Sequence, residues 1–314
     1  MPPESQLTPG AARVVDPVLS NVARGYENAG MAWPSIFPVV TVMQRGGKVI
    51  EFGAEHFAEF DIERAPGARI PEINVGFSSR DYALVQRALA GKVPVELQEE
   101  AGAVPGIDLG SVAVQRVMAI NSLQIEIKAA SLIVADNFTD RTKALAAGAQ
   151  WSHADSAPAK EVRSVYSTIR QGIGMDPNTL FVGKPVHDAL INNPDVIDRI
   201  KHTQPAIGDA IDEAALARYF RVAHYVVGSA MKGEPGAFEE VWGKIALLCY
   251  SNVSPLAGQG APSFGYTYRL SGYPMVEPPW YNRANKSWMY PVTNEDTPEI
   301  VGKAAGYLWT AAVE

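Results

Sequence analysis

"DLGSVAVQRVMAINSLQIEIKAASLIVAD", residues 108–136, is apolar at a helical spacing along its whole length. Val117, Ile120, Leu123, Ile127, Ala130 and Val134 recur every three or four residues, which predicts one buried helical face. Val114, Met118, Ile125 and Leu132 widen that stripe. Asp108 or Ser111 can cap the start, and Asn137 with the polar residues after it ends the run. A helix of about 26 residues spans ~40 Å, far beyond the average helix of a globular domain. Strict heptads with flanking charges are absent, which argues against a sustained coiled coil.

Upstream, residues 46–89 open on Gly46-Gly47 and the strand-like "KVIEFG" and close on the alternating run "SSRDYALVQRAL". Between them lies a tip rich in charge, Gly and Pro, so the segment predicts a large hairpin loop. Glu63, Arg64 and Arg69 sit in that tip. A loop of this length is either an ordinary surface excursion or a functional one. Residues 1–45 read as an arm, with a short helix around Val18–Tyr26 started by Asp16 at the cap and Pro17 at the first helical position. Trp33, Ile36, Phe37 and Val39 then crowd among prolines and glycines in a segment too short for a core of its own.

Downstream, from Asp155 to Gly260, the elements become shorter and alternate. "APAKEVRSVYSTIRQGIG" predicts an amphipathic helix ending on glycine, "NTLFVG" a short buried strand, and "KPVHDALINNPDVIDRI" a helix broken at Pro194. "DEAALARYF" adds a helix, and "RVAHYVVG" and "KIALLCYS" add strands. This region can fold around a central sheet covered by helices. In the last segment, Phe264, Tyr266, Tyr268 and Leu270 alternate as in a half-buried strand. "WYNRANKSWMYPV" reads as a hairpin around Arg283–Asn285, and "GKAAGYLWTAAV" as a closing strand.

The chain has 314 residues, 47% hydrophobic and 19% charged, which allows a sizeable core and excludes wholesale disorder. Its net charge of −7 argues against a surface that grips nucleic acid through basic patches. No apolar run approaches the ~20 residues of a membrane span. The single cysteine, Cys249, lies in an apolar run and reads as an inert core side chain. His56, His153, His187, His202 and His224 never approach metal-ligand spacing. "VGKPVH" and "AGQGAPS" lack the glycines and following helix of a phosphate-binding loop, and no nucleophile elbow is present. No catalytic residue, cofactor site or metal site emerges.

Taken in order, an arm, a charged hairpin, one very long helix, a mixed middle and a terminal strand set resemble the major capsid proteins of tailed bacteriophages. The phrases that carry the resemblance are "DPVLSNVARGY", "FPVV" before "GGKVIEFG", "QRVMAINSLQIEIKAASL", "PNTLFVG", "INNPDVIDRIKHTQ" and "PSFGYTYRL". The resemblance implies an α+β fold of the Hong Kong 97 type. Residues 1–45 would be the N-terminal arm and 46–88 the extended loop. Residues 89–154 and 263–314 would form the peripheral domain, with a spine helix at about 109–136, and 155–262 the axial domain.

It further implies a structural, non-enzymatic protein that builds the hexamers and pentamers of an icosahedral head around double-stranded DNA. Partners would be other copies of the chain, a portal protein, a separate scaffolding protein, a decoration protein and DNA met non-specifically, with no membrane. The location would be the virion, assembled in the host cytoplasm. The arm-like sequence begins within the first twenty positions, so the expectation is no cleaved N-terminal scaffolding segment. The Lys–Asn cross-link of some relatives cannot be assigned to Lys48 or Lys92 by any motif. On this reading Trp33, Ile36, Phe37 and Val39 bury against a neighbouring subunit, and Glu63, Arg64 and Arg69 pair across the boundary. The alternative for the aromatics is packing back on their own body. The rival functions are an encapsulin-like cargo shell, or an α/β enzyme with its site in 155–262.

Overall fold

Asp108 starts the long helix, its Oδ1 accepting from the Gly110 N–H at 3.0 Å. The structure, a computed structural model, describes residues 15–26, 30–49, 81–102, 108–134, 141–203, 211–234, 236–253 and 263–314. The first half contains α1 (Pro17–Arg24), α2 (Trp33–Ile36), β1 (Val39–Val42), β2 (Gly46–Lys48), β3 (Asp81–Ala83), β4 (Val85–Pro94), α3 (Val95–Gly102) and the long helix, α4 (Leu109–Leu132). The middle follows with β5 (Thr142–Ala144), α5 (Pro158–Ile173), β6 (Thr179–Gly183), α6 (Lys184–Ile191), α7 (Pro194–Thr203) and α8 (Glu213–Phe220). Then come β7 (His224–Gly228), β8 (Met231–Glu234), β9 (Ala237–Glu240) and β10 (Ala246–Cys249). The last segment gives β11 (Gly265–Leu270), β12 (Met275–Val276), β13 (Trp280–Asn282), β14 (Ser287–Ile300) and β15 (Gly306–Thr310).

The 24 residues of α4 run about 36 Å. Its buried residues are Gly110, Val114, Val117, Met118, Asn121, Ile125, Glu126 and Ala129. The buried face keeps Val117 of the nominated stripe with Val114, Met118 and Ile125 that widen it, whereas Ile120 and Val134 are 42% and 54% exposed. A helix apolar all round does not choose its own buried side; the packing partner does. Here the partner is the sheet of β4 and β14. A methyl group at Gly91 would lie 2.8 Å from the Ala113 Cβ, and one at Gly110 would lie 2.8 Å from the Tyr290 ring. These two glycines let strand and helix approach closely, and that approach fixes the helix's rotation.

β14 is the axis of a six-stranded sheet. Along one side β4 pairs antiparallel with it for ten residues, from Ser287↔Pro94 to Asp296↔Val85. On the other side β13, β12 and β11 pair with it in succession. β1 adds to β11 in parallel. The hairpin around Arg283–Asn285 is thus formed, with Tyr281 opposite Trp288. The β11 strand expected to be half-buried is instead buried from Gly265 to Tyr268 on both faces. The two strands that flank the predicted loop do pair, Gly46 with Ala83 and Lys48 with Asp81. The tip, residues 50–80, lies outside the described residues.

A second sheet has the order β5-β15-β10-β6-β7, and its β6 and β10 are wholly buried. The helices α5 to α8 begin and end where the sequence signals them. Gly174 closes α5 in the left-handed conformation, Pro194 opens α7, and Asp212 caps α8 by accepting from the Ala215 N–H at 2.7 Å. One segment assignment differs. β5 and β15, from stretches allotted to the peripheral set, complete the sheet of residues 179–249. Leu308 and Trp309, both buried, face the same apolar core as Phe181 and Leu247, and that burial draws the closing strand there.

The expectation that Trp33, Ile36 and Phe37 need a neighbour's surface is corrected. They are 6%, 0% and 0% exposed within their own chain. They join the largest core cluster, which runs from Ile125 and Ala129 of α4 to Phe181, Leu247 and Trp309. Phe37 lies 5.7 Å from Phe264, ring centre to ring centre. The segment lacks a core of its own because it is a wedge in someone else's, and that someone is the same molecule. Truncating Phe37→Ala should therefore cost about 3–5 kcal/mol in the unassembled chain. Denaturant unfolding of the isolated subunit measures this, and an unchanged midpoint would contradict the placement.

Candidate subunit-assembly site

Glu126 of α4 has 0% exposure and binds three segments at once. Its Oε1 accepts from the Ala32 N–H at 3.1 Å and from the Trp242 indole N–H. Its Oε2 accepts from the Trp33 N–H at 2.9 Å. One turn earlier on the helix, Ser122 accepts from the Trp33 indole at 3.1 Å. Burial pushes the Glu126 carboxyl above its ordinary range, and the three N–H groups pull it part of the way back. The carboxylate thereby fastens the N-terminal segment and the Trp242 loop to the long helix.

A second polar cluster lies on β14. The Asp296 carboxylate, fully buried, accepts from Arg87 on β4 through Oδ1 and from Asn294 through Oδ2 at 2.5 Å, with Arg269 of β11 at 3.4 Å. Lys128 of α4 donates to the Thr297 hydroxyl at 2.6 Å, and burial lowers its pKa. Glu295 takes Arg45 in a two-pronged pair at 2.8 and 3.2 Å. The stretch "TNEDTPEI" has no assignment from sequence. The signal that could have found this strand is its direct continuation of the alternating "SWMYPV".

Of the described side chains nominated for a neighbour, Val39 alone is left at the surface. Val39 is 40% exposed, and Trp33, Ile36 and Phe37 are inside. Glu63, Arg64 and Arg69 lie outside the described residues. Exposed apolar side chains that sequence reading did not select as contacts include Val85 and Leu89 on β4, Ile120 on α4, and Trp280 with Tyr281 on β13. Among the described residues, β4 pairs only with β14, so its outer edge is open for ten residues. An open edge with apolar side chains is a template for contact with another chain.

The side chains with catalytic potential occupy quiet positions. Cys249 is fully buried on β10, and burial pushes its thiol pKa up. His187 sits 3.1 Å from the Tyr225 hydroxyl, with its pKa lowered by burial and by Lys184. His224 stands exposed on the edge strand β7. Among the described residues, no group of three or more His, Cys, Asp or Glu side chains is placed to hold a metal ion. No described helix is long and apolar enough to cross a membrane.

Comparison with known proteins gives a consistent answer. No family model matches the chain. It is 31% identical over 305 residues to the major capsid protein of Burkholderia phage BcepMu, covering 94% of this chain and 96% of that protein. A crystal structure of a phage-related protein from Bordetella bronchiseptica shares 36% identity at a TM-score of 0.82, with 96% and 98% of the two chains covered. The capsid of cyanophage P-SCSP1u shares the fold at a TM-score of 0.53 and 10% identity, over 91% and 89% of the chains. The α+β fold with its long helix and curled sheet is that of a structural, shell-type protein. The chain belongs to the Hong Kong 97-fold major capsid protein family.

Glu126→Gln turns one acceptor into a donor while three N–H groups still converge on it. At least one loses its partner, at a cost of about 1–3 kcal/mol. The same group sets a pH dependence. Its folded-state pKa lies above the unfolded one, so the folded chain binds more protons between the two. Stability is therefore greatest below the unfolded value and falls as pH rises through the folded one. Denaturant unfolding of the subunit across about pH 4 to 8 should show this decline in the wild type and a flatter profile in the variant.

Proposed function

We propose that the chain assembles with copies of itself into the hexamers and pentamers of an icosahedral phage head that encloses double-stranded DNA. The observation that carries this reading is the near full-length match, at 31% identity, to a phage major capsid protein. On this reading residues 1–45 are the N-terminal arm, 46–88 the extended loop and α4 the spine helix. Residues 89–154 and 263–314 make the peripheral domain, lending β5 and β15 to the sheet of the axial domain at 155–262. The exposed apolar side chains of β4, α4 and β13 then find cover on neighbours, each contact contributing at ~25 cal/mol per Å² of apolar surface removed from water. Closure of a shell adds such contacts through avidity.

The remaining partners follow as part of the same proposal. A portal protein occupies one vertex, a separate scaffolding protein guides assembly, and a decoration protein can sit on the outside. The net charge of −7 suits a wall that packs DNA without gripping it. The finished location is the virion, after assembly in the host cytoplasm. The cargo-shell reading shares the fold, but a relative matched at 31% identity over nearly the whole chain is a phage capsid protein, which favours the head.

Electron microscopy of the expressed chain, alone and with a scaffolding protein, is the test: closed shells or capsomer rings are expected, and small uniform particles would overturn the reading. Leu89→Asp places a charge on the open β4 edge. The subunit's own stability should move by no more than about 0.5 kcal/mol. Each interface that covers this position should lose about 1.4 kcal/mol or more, a tenfold weakening. Light scattering against protein concentration reads the shift in assembly.

A further inference from the structure

The helices that cover the second sheet leave a pocket of about 200 Å³ at the seam between them. Arg163 of α5, Arg199 of α7, Arg218 of α8 and Arg221 just beyond α8 line it, around the half-buried Tyr219. Val162, Val196 and Leu216 bury in one core cluster, and that packing brings the outward arginines of the three helices together. All four arginines are exposed. Among the described residues, no Asp or Glu lines the pocket, and neither Arg163 nor Arg221 has an ion-pair partner.

The cluster is held in place. Arg199 Nε donates to Asp195 Oδ1 at 3.0 Å, and the other oxygen of that carboxylate accepts from the Tyr219 hydroxyl at 2.7 Å. Arg218 Nε donates to the Ala214 carbonyl at 3.2 Å. Arg221 stands at φ 60°, a conformation that glycine adopts without strain and an L side chain does not. The Tyr166 hydroxyl pins this turn, 3.0 and 3.1 Å from the Phe220 and Arg221 carbonyl oxygens. The C-terminal dipole of α8 favours cations at 218 and 221. It does not account for Arg163, in the second turn of α5, or for Arg199, in the middle of α7.

Like charges gathered in one place repel, and in a chain of net charge −7 this gathering is local. The cations are arginines, without a lysine among them. The planar guanidinium fork takes phosphate oxygens in pairs. The pocket is smaller than the ~300–1,000 Å³ of sites for drug-sized molecules, which suits a few phosphate groups rather than a whole nucleotide. We propose that this pocket binds a short phosphate chain, its oxygens held by Arg163, Arg199, Arg218 and Arg221. The phosphates of a DNA backbone carry the same chemistry, and the test separates the two sources. The proposal concerns the single subunit and does not rest on the assembly reading.

Isothermal titration calorimetry of the full-length, unassembled chain tests it, with sodium tripolyphosphate and separately with a short DNA duplex. Expected is saturable binding of tripolyphosphate, weakened about tenfold or more by Arg163→Gln through loss of charge-assisted hydrogen bonds. Arg221→Gly gives a readout with opposed signs. It supplies the residue that the left-handed turn prefers, so the unfolding midpoint should hold or rise while tripolyphosphate affinity falls about tenfold. Arg170→Gln removes an equal charge from the same helix outside the pocket and should leave binding unchanged. Duplex binding that follows this pattern, without tripolyphosphate binding, assigns the pocket to a DNA backbone and upholds the phosphate chemistry. Binding of neither probe overturns the proposal. So does binding that Arg163→Gln and Arg221→Gly leave intact, or that Arg170→Gln weakens as much as they do. None of these outcomes touches the assembly reading, which electron microscopy decides.

Discussion

A carboxylate buried without a cation is the interaction on which the rest of this structure depends. Glu126 sits at 0% exposure with three N–H donors and, among the described residues, no cation bonded to it. Taking that group out of water is costly, and the cost is offset only if every donor arrives. The donors come from positions 32, 33 and 242, far apart in sequence, so the helix cannot be seated correctly until both segments have closed on it. One side chain thereby converts a generic apolar helix into an organiser. The apolar contacts supply the stabilisation, and the carboxylate supplies the selection of one arrangement.

The same division of labour holds on β14. Its ten-residue ladder with β4 brings Arg87 to Asp296, and its ladder with β11 brings Arg269 to the same carboxylate. A slip of one residue in the β4 pairing would turn Arg87, and in the β11 pairing Arg269, to the face opposite Asp296 and break that ion pair. The ion cluster therefore specifies register from both sides of the central strand. Lys128 extends the cluster to α4 through Thr297, so helix and sheet are keyed by polar contacts at one end and by the Gly91 and Gly110 close approaches at the other.

Local signals in the sequence were readable where chemistry and position coincide. Asp16-Pro17, Asp108, Pro194, Asp212 and Gly174 mark helix ends because a cap or a break acts within a few residues, and each sits where the structure has it. The family order was legible for the same reason. What was not legible depends on partners distant in sequence. The limits of the buried face of α4 could not be chosen because Ile120 and Ile125 are equally apolar, and Ile125 goes inside because it meets Trp33, Ile36 and Phe37 in one core cluster. Glu126 carries no local signal of burial, since its donors lie about a hundred residues away on either side. "TNEDTPEI" carries no local strand signal because the arginines that allow its burial belong to other strands. Trp33, Ile36 and Phe37 were rightly seen to need a partner surface, but sequence does not say whose.

That last point changes how the apolar surface of this chain is to be divided. Had the aromatic segment been the contact between subunits, a lone subunit would expose its greasiest residues and folding would wait on assembly. Instead Trp33, Ile36 and Phe37 are consumed in the core, tied down by Glu126 and Ser122, and each subunit can complete its own interior first. Among the described residues the apolar surface that remains is of another kind: single side chains spread over several elements, from Val18 and Met43 to Leu89, Phe238 and Trp280, and the unpaired edge of β4. Under the assembly proposed above, contacts of that sort would be individually weak and would hold only when many form together. Strength then comes from number and closure rather than from any one patch. A subunit that is finished inside and only moderately adhesive outside is what an orderly assembly of many identical copies requires.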